Sequence, residues 1–292
     1  MNKIFRMKSK ILFISFIFFI MGCFPSKRIG VATIGMIMED IDKASNKSEN
    51  LEIIREGAPA FLMLIDGLIE AYPNNERLLI AGAKAYSSYT FSFIEERDKD
   101  LAKRMYKKGM NYGLRALLKN KKFKEAFDKP IDKFNEALSS FKKRDVPALF
   151  WTANCWASFI NLSQDSVEAL ADLPKVVSMM RRVLSLDERF YYGGPHLFFA
   201  IYYARSKALG GDLDKAAFHF KRAFEISEGK FLMDYVLYAK YYARQVFDRE
   251  LFISTLKKVI ETRTEAYPEL TIANTLAKKR AKILLEHVDD YF

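Results

Sequence analysis

The sequence predicts an all-α protein of antiparallel helical hairpins, and three observations carry that expectation. Glycine and proline are sparse, 13 and 8 in 292 residues, and mostly stand where segments end. Leu213, Ala216, Ala217, Phe220, Ala223, Phe224 and Ser227 form one continuous face at a 3.6-residue period, with Asp214, Lys215, Lys221, Arg222 and Glu225 opposite. Strand-like alternation of β-branched residues is almost absent. Half of the residues are hydrophobic and 14% are aromatic, which fits a packed globular body rather than a disordered chain.

The first 23 residues read as an export signal. Lys3, Arg6, Lys8 and Lys10 form a cationic start, residues 11–21 are apolar apart from Ser15, and Gly22-Cys23 follows at once. No acidic residue precedes Glu39. Eleven apolar residues rise about 16 Å as a helix, roughly half of a ~30 Å hydrocarbon core. That is the length of a signal-peptide apolar segment and too short to span. Ile20-Met21-Gly22-Cys23 resembles a bacterial lipoprotein lipobox. The resemblance implies cleavage before Cys23, a diacylglycerol thioether on Cys23 and N-acylation. The chain then divides into a signal peptide (1–22), a lipidated tether with a first helix (23–50) and a helical body (51–292). Two or three acyl chains anchor stably where one binds reversibly. The competing reading is an ordinary secretory signal or short anchor with an incidental cysteine. With Cys23 lipidated, Cys155 has no intrachain partner and disulfides play no part. Within Trp151-Thr-Ala-Asn-Cys-Trp156 it reads as a buried small hydrophobe.

The elements follow in order. Ile29 to Ile41 is apolar enough for a helix that docks on the body, and Ser45 to Asn50 is a polar break. Leu51 to Tyr72 forms one or two helices, with Gly57 and Pro59 marking a break or a proline-initiated start. Pro73-Asn74-Asn75 turns into a helix from Glu76 to about Glu96. Lys99 to about Lys119 carries Leu101, Met105, Tyr112, Ala116 and Leu117 along one side. Pro130 separates two shorter pieces, Phe123–Phe127 and Ile131–Lys142. Pro147 opens a helix to about Leu162, Ser163-Gln164-Asp165 caps one towards Leu170, and Pro174 opens one ending near Leu186. His196 to Leu209 lies between Gly193-Gly194-Pro195 and Gly210-Gly211. Asp212 caps the periodic helix described above, and Leu232–Phe247, Arg249 to about Thr264 and Pro268 to about Val288 complete the set. Short connections make neighbouring helices antiparallel.

Gly211 to Ile226 resembles the second helix of a tetratricopeptide (TPR) repeat, with Ala216, Phe220 and Ala223 where helices cross closely. The usual closing proline is replaced by Ser227-Glu228-Gly229, and the preceding helix is about a turn too long. Weaker copies end at Leu68–Asn75 and Val183–Glu188, so the fold expected is TPR-like hairpins stacked into a superhelix. The competing reading is an irregular bundle with one chance match.

Longer stretches match a family. They are Pro147–Ala157, Leu186–His196 with its Tyr191-Tyr-Gly193-Gly194-Pro195 core, Leu209–Phe220, and Pro268–Asn274 through Ala281–Leu285 to Asp289-Asp290-Tyr291-Phe292. The chain resembles the T-component of TPR-associated TRAP (tripartite ATP-independent periplasmic) transporters, lipoproteins known from spirochaetes. The resemblance implies a non-enzymatic, lipid-anchored protein facing the periplasm that binds the transporter's solute-binding protein, forms homo-oligomers and passes an apolar ligand through a channel. The alternative is a TPR scaffold lipoprotein in envelope or outer-membrane protein assembly.

The residues themselves offer little catalytic chemistry. His196, His219 and His287 stand outside metal-ligand spacing of one another and of Cys155, and no nucleotide-binding or nucleophile-elbow motif occurs. No cofactor is expected beyond the covalent lipid, and no metal. With the four basic residues of the signal set aside, 43 basic residues face 36 acidic ones. That surplus of seven is scattered over helices without the aromatic interleaving of nucleic-acid binders, so it reads as a solvated face or an attraction to anionic headgroups. The candidate ligand or partner surface is Trp151, Trp156, Tyr191, Tyr192, Gly193, Gly194, His196, Phe199, Tyr203 and Asn274. Each has a plainer reading: core for the aromatic residues, a tight turn for Gly193-Gly194-Pro195-His196, and a buried hydrogen-bonding group or an exposed one for Asn274.

Overall fold

A computed structural model describes residue 37 and residues 40–263 and 267–292. Cys23, the signal peptide, the tether and nearly all of the Ile29–Ile41 helix lie outside the described residues. Residues 44–292 form one compact unit. Ahead of that unit, residues 40–43 are helical, and Lys43 Nζ lies 3.3 Å from Asp40. Among the described residues there are helices and no strands. The protein is all-α.

The first hairpin joins α1 (Leu51–Ala71) to α2 (Glu76–Tyr89) through the Pro73-Asn74 turn, and Asn75 Oδ1 caps Leu78 N–H at 3.2 Å. Of the one or two helices expected here, one forms, with neither a break nor a new start at Gly57–Pro59: α1 runs through Pro59. Proline lacks the N–H that would bond the Arg55 carbonyl, and Tyr89 Oη, arriving from α2, donates to that carbonyl at 3.3 Å. A neighbour thus supplies the missing partner. The helix after Glu76 passes at Thr90–Ile94 into a π-turn, where Thr90 Oγ1 donates to the Tyr86 carbonyl at 2.6 Å.

Helix α3 (Lys99–Leu117) starts at Asp98, whose carboxylate accepts from Leu101 N–H at 2.8 Å. Its deepest face is Ala102, Tyr106, Gly109, Met110, Gly113, Ala116 and Leu117; of the side expected, Ala116 and Leu117 are on it, and Leu101, Met105 and Tyr112 are only half-buried. The reason is close approach to α6 (Val146–Leu162): a Cβ on Gly113 would fall 2.0 Å from Thr152 Oγ1. Large residues would hold the two backbones apart. Between them α4 (Lys121–Ala126) and α5 (Ile131–Leu138) are short pieces whose Phe123 and Phe134 are fully buried. Mostly buried, α6 is the centre of one core cluster, with Leu149, Trp151, Cys155 and Trp156 inside it.

Two more helices cover α6: α7 (Val167–Ala171), capped by Ser166 rather than by Ser163–Asp165, and α8 (Leu173–Leu186). Next, α9 (Phe190–Tyr203) and α10 (Leu213–Ser227) pair as a hairpin. The expected run to Leu209 stops at Tyr203, because the Tyr203 carbonyl accepts the N–H of Asp212 at 2.8 Å and turns the chain back. The periodic face of α10 is buried at Ala216, Phe220, Ala223 and Ser227 and half-buried at Leu213, Ala217 and Phe224; Ile226 beside it is buried too. Burial of Phe220 contributes about 1.5–3 kcal/mol. The segment after it is α11 (Met233–Leu237), continuing as a π-helix over Tyr238–Ala243 rather than as one α-helix. Finally, α12 (Arg249–Glu261) packs on α13 (Thr271–Glu286).

The last helix returns to the first hairpin. Arg280 on α13 donates to the Phe91 carbonyl, and its guanidinium lies over the Phe91 ring at 4.1 Å. Leu51 and Phe91 pack against the second core cluster, formed by α9 to α13. The path from α1 to α13 therefore closes.

Candidate functional site

Three consecutive residues at the start of α9 are left-handed: Tyr191 (φ 48°), Tyr192 (φ 58°) and Gly193 (φ 81°). Such conformations are strained for aromatic residues and persist only where surroundings impose them. Here the surroundings are aromatic. The Tyr191 ring meets Trp151 edge-on at 4.8 Å, and Tyr192 stacks on Phe231 at 5.1 Å. The glycines that follow allow close packing. A Cβ on Gly193 would lie 3.3 Å from Ala223 Cα, and one on Gly194 would sit 2.7 Å from the Phe150 ring. The helix proper begins after this turn, which puts Pro195 in its first turn.

Of the ten residues singled out, Trp151, Trp156, Gly193, Gly194, His196, Phe199 and Asn274 are buried. They support a surface rather than form one. Tyr191 is exposed, at 39%, and Tyr192 and Tyr203 are half-buried. Asn274 is fully buried and pins α13 to the turn before α11, accepting from Leu232 N–H and donating to the Lys230 carbonyl, each at 3.0 Å. Beside that turn lies Asp234, also fully buried, whose Oδ2 accepts from Ser227 Oγ at 2.8 Å while Oδ1 has no hydrogen-bond partner. Burial pushes its carboxyl well above the ordinary carboxylate range.

The hairpin of α9 and α10 brings together two histidines that sequence spacing kept apart. His196 Nδ1 and His219 Nδ1 are 2.9 Å apart, and His196 Nε2 is 3.1 Å from Glu188. With neutral rings one assignment satisfies both contacts: His196 Nε2–H donates to Glu188, and His196 Nδ1 accepts from His219 Nδ1–H. Arg222 holds Glu188 at 3.0 Å and Glu225 at 2.5 Å. Bonds from His196 and Arg222 keep the Glu188 carboxyl below its usual range. Burial lowers both imidazoles, His219 to about 4. Phe199 and Tyr203 stack on the His219 ring at 5.3 and 5.8 Å. A signal for this pair was present in the sequence: the two histidines lie about two turns before and after the Ala204–Asp212 connection, so a hairpin pairs them.

Elsewhere Asp66 on α1 gathers Tyr86 Oη and Tyr112 Oη, each at 2.7 Å, and Lys108 Nζ at 2.5 Å, tying α1 to α2 and α3. Cys155 is fully buried, and burial pushes its thiol up to about 12. Among the described residues no three His, Cys, Asp or Glu side chains could hold a metal ion, and no helix is long and apolar enough to cross a membrane.

The family model for the TRAP transporter T-component matches residues 47–292. The chain belongs to the T-component family. That match begins just before α1 and takes in α1 to α13. An uncharacterized protein of Treponema pallidum (strain Nichols) is 20% identical over 270 residues, 87% of this chain and 84% of its own length. The family is that of a transporter accessory component and not an enzyme class.

Proposed function

We propose that this T-component is a lipoprotein held by acyl chains on Cys23, facing the periplasm, and that it docks the solute-binding protein of its TRAP transporter. The observation that carries the proposal is the family match over the whole helical body. The Gly22-Cys23 boundary after the apolar run supports the anchor. The hairpins, with Ala216, Phe220 and Ala223 buried at their crossing, support TPR-like stacking into a superhelix, an architecture that offers protein-binding surface. Tyr191, Tyr192 and Tyr203, backed by buried Trp151 and Phe199, are the aromatic residues we assign to the partner or to an apolar ligand. Assembly as a homo-oligomer belongs to the same reading.

Mass spectrometry of the mature protein from its own envelope, combined with affinity capture, tests this. The expected result is a diacylated, N-acylated Cys23 at the N-terminus and recovery of a periplasmic solute-binding protein, with recovery reduced about tenfold or more in Tyr191→Ala. A free thiol at Cys23, or capture that lacks any solute-binding protein, overturns it.

A further inference from the structure

Where α13 closes on the first hairpin, a cavity of about 260 Å³ opens between Leu51 and Arg55 of α1, the Ser92–Arg97 segment, and α13. Its two kinds of lining differ sharply in chemistry. Leu51, Phe93, Leu276 and Ile283 supply an apolar wall, and Leu276 is buried at 7% exposure. Arg55, Arg97, Lys279 and Arg280 bring four cations against the single carboxylate of Glu96.

The charges are not balanced within the protein. Arg55 is taken up by Glu52 and Glu56, both at 3.0 Å. Arg280 is 8% exposed; its Nε is 3.5 Å from Glu96 and has no hydrogen-bond partner. Among the described residues Arg97 and Lys279 form no ion pair. A buried guanidinium N–H without a partner costs stability unless something accepts from it.

Size decides what that acceptor is attached to. The cavity exceeds the ~30 Å³ share of one water several times over, so a bare ion leaves its apolar wall empty. It also falls below the ~300 Å³ at which small-molecule pockets usually begin, which suits one short chain. We propose that this cavity binds a single-chain amphiphilic carboxylic acid, its carboxylate against Arg97, Lys279 and Arg280 and its tail against Leu51, Phe93, Leu276 and Ile283. Arg280 sits on α13 and the cavity's far wall on α1, so the ligand bridges the first and last elements of the fold. The proposal does not rest on docking of a solute-binding protein.

Titration calorimetry of the full chain with octanoate, 1-octanol and inorganic phosphate tests it. Octanoate is expected to bind saturably at one site, with 1-octanol roughly tenfold or more weaker because it lacks the charge-assisted bonds, and phosphate is expected not to displace octanoate. The double variant Arg97→Gln/Lys279→Gln should weaken octanoate about tenfold while leaving 1-octanol unchanged. Ile283→Trp, on an exposed flank of the cavity, should block octanoate without altering helicity. Equal binding of 1-octanol, displacement by phosphate at equal concentration, octanoate binding untouched by both variants, or no saturable binding would each overturn the proposal.

Discussion

His196 and His219 share one short contact inside a helical hairpin, and their environment sets a direction for pH dependence. Both are lowered from the ordinary value of 6.5, His219 to about 4. Between those values the unfolded chain holds protons that the folded chain does not, so the histidines' contribution to stability rises with pH across about 4 to 6.5 and is level above. Glu188, Arg222 and Glu225 face the pair from the α8–α9 connection and from α10, and Lys215 lies over Tyr203. Glu188, held below its usual range, adds a loss in the same direction at lower pH. Asp234 acts oppositely: raised by burial, it favours the fold at low pH and loses that advantage as pH rises. His219→Phe keeps the stack on Phe199 and Tyr203 and removes the titrating ring. Its urea midpoint is expected to vary less between pH 5 and pH 7.5 than the parent's, the difference being about 1–2 kcal/mol after solvent screening. Equal slopes for the two proteins would show that other groups govern the acid limb.

At the scale of elements, the continuity of α1 depends on a residue of another helix. Pro59 leaves the Arg55 carbonyl without its helical donor, and Tyr89 Oη fills the place. Tyr89→Phe is expected to cost about 0.5–1.5 kcal/mol. In a Pro59→Ala background, where residue 59 regains an N–H, the same change should cost nearly nothing, so a double-mutant cycle by chemical denaturation gives a positive coupling. Additive effects would mean that solvent already satisfies the carbonyl. The α3–α6 crossing follows the same logic of local residues serving a neighbour. Gly113 lies where Thr152 arrives and Gly109 where Cys155 does, so the buried stripe of α3 carries glycines at the points where the partner helix is closest.

On the scale of the whole molecule, closure of α13 on the first hairpin joins residues separated by 189 positions. Arg280→Met retains apolar bulk over Phe91 but leaves the Phe91 carbonyl without its donor, at a cost of about 1–3 kcal/mol. Hydrogen exchange is expected to rise together in α1, the Thr90–Ile94 turn and α13, because one contact region holds all three. A rise confined to α13 would show that the first hairpin is held independently.

The all-helical class and the position of most helices were legible in the amino-acid order because they rest on local rules, whereas the family was read from a resemblance over longer stretches. The 3.6-residue period of Leu213–Ser227, the caps at Asn75, Asp98 and Asp212, and prolines 147 and 174 in first turns act over a few residues each. Tertiary structure alone decided the unbroken run of α1 through Pro59, the left-handed Tyr191-Tyr192, the glycine crossing of α3 on α6, and the cavity at the seam. Each of these depends on a group contributed by a distant part of the chain: a hydroxyl, an aromatic wall, an approaching backbone or a guanidinium. Propensity and periodicity sum over near neighbours, and such partners are fixed only once the helices have packed.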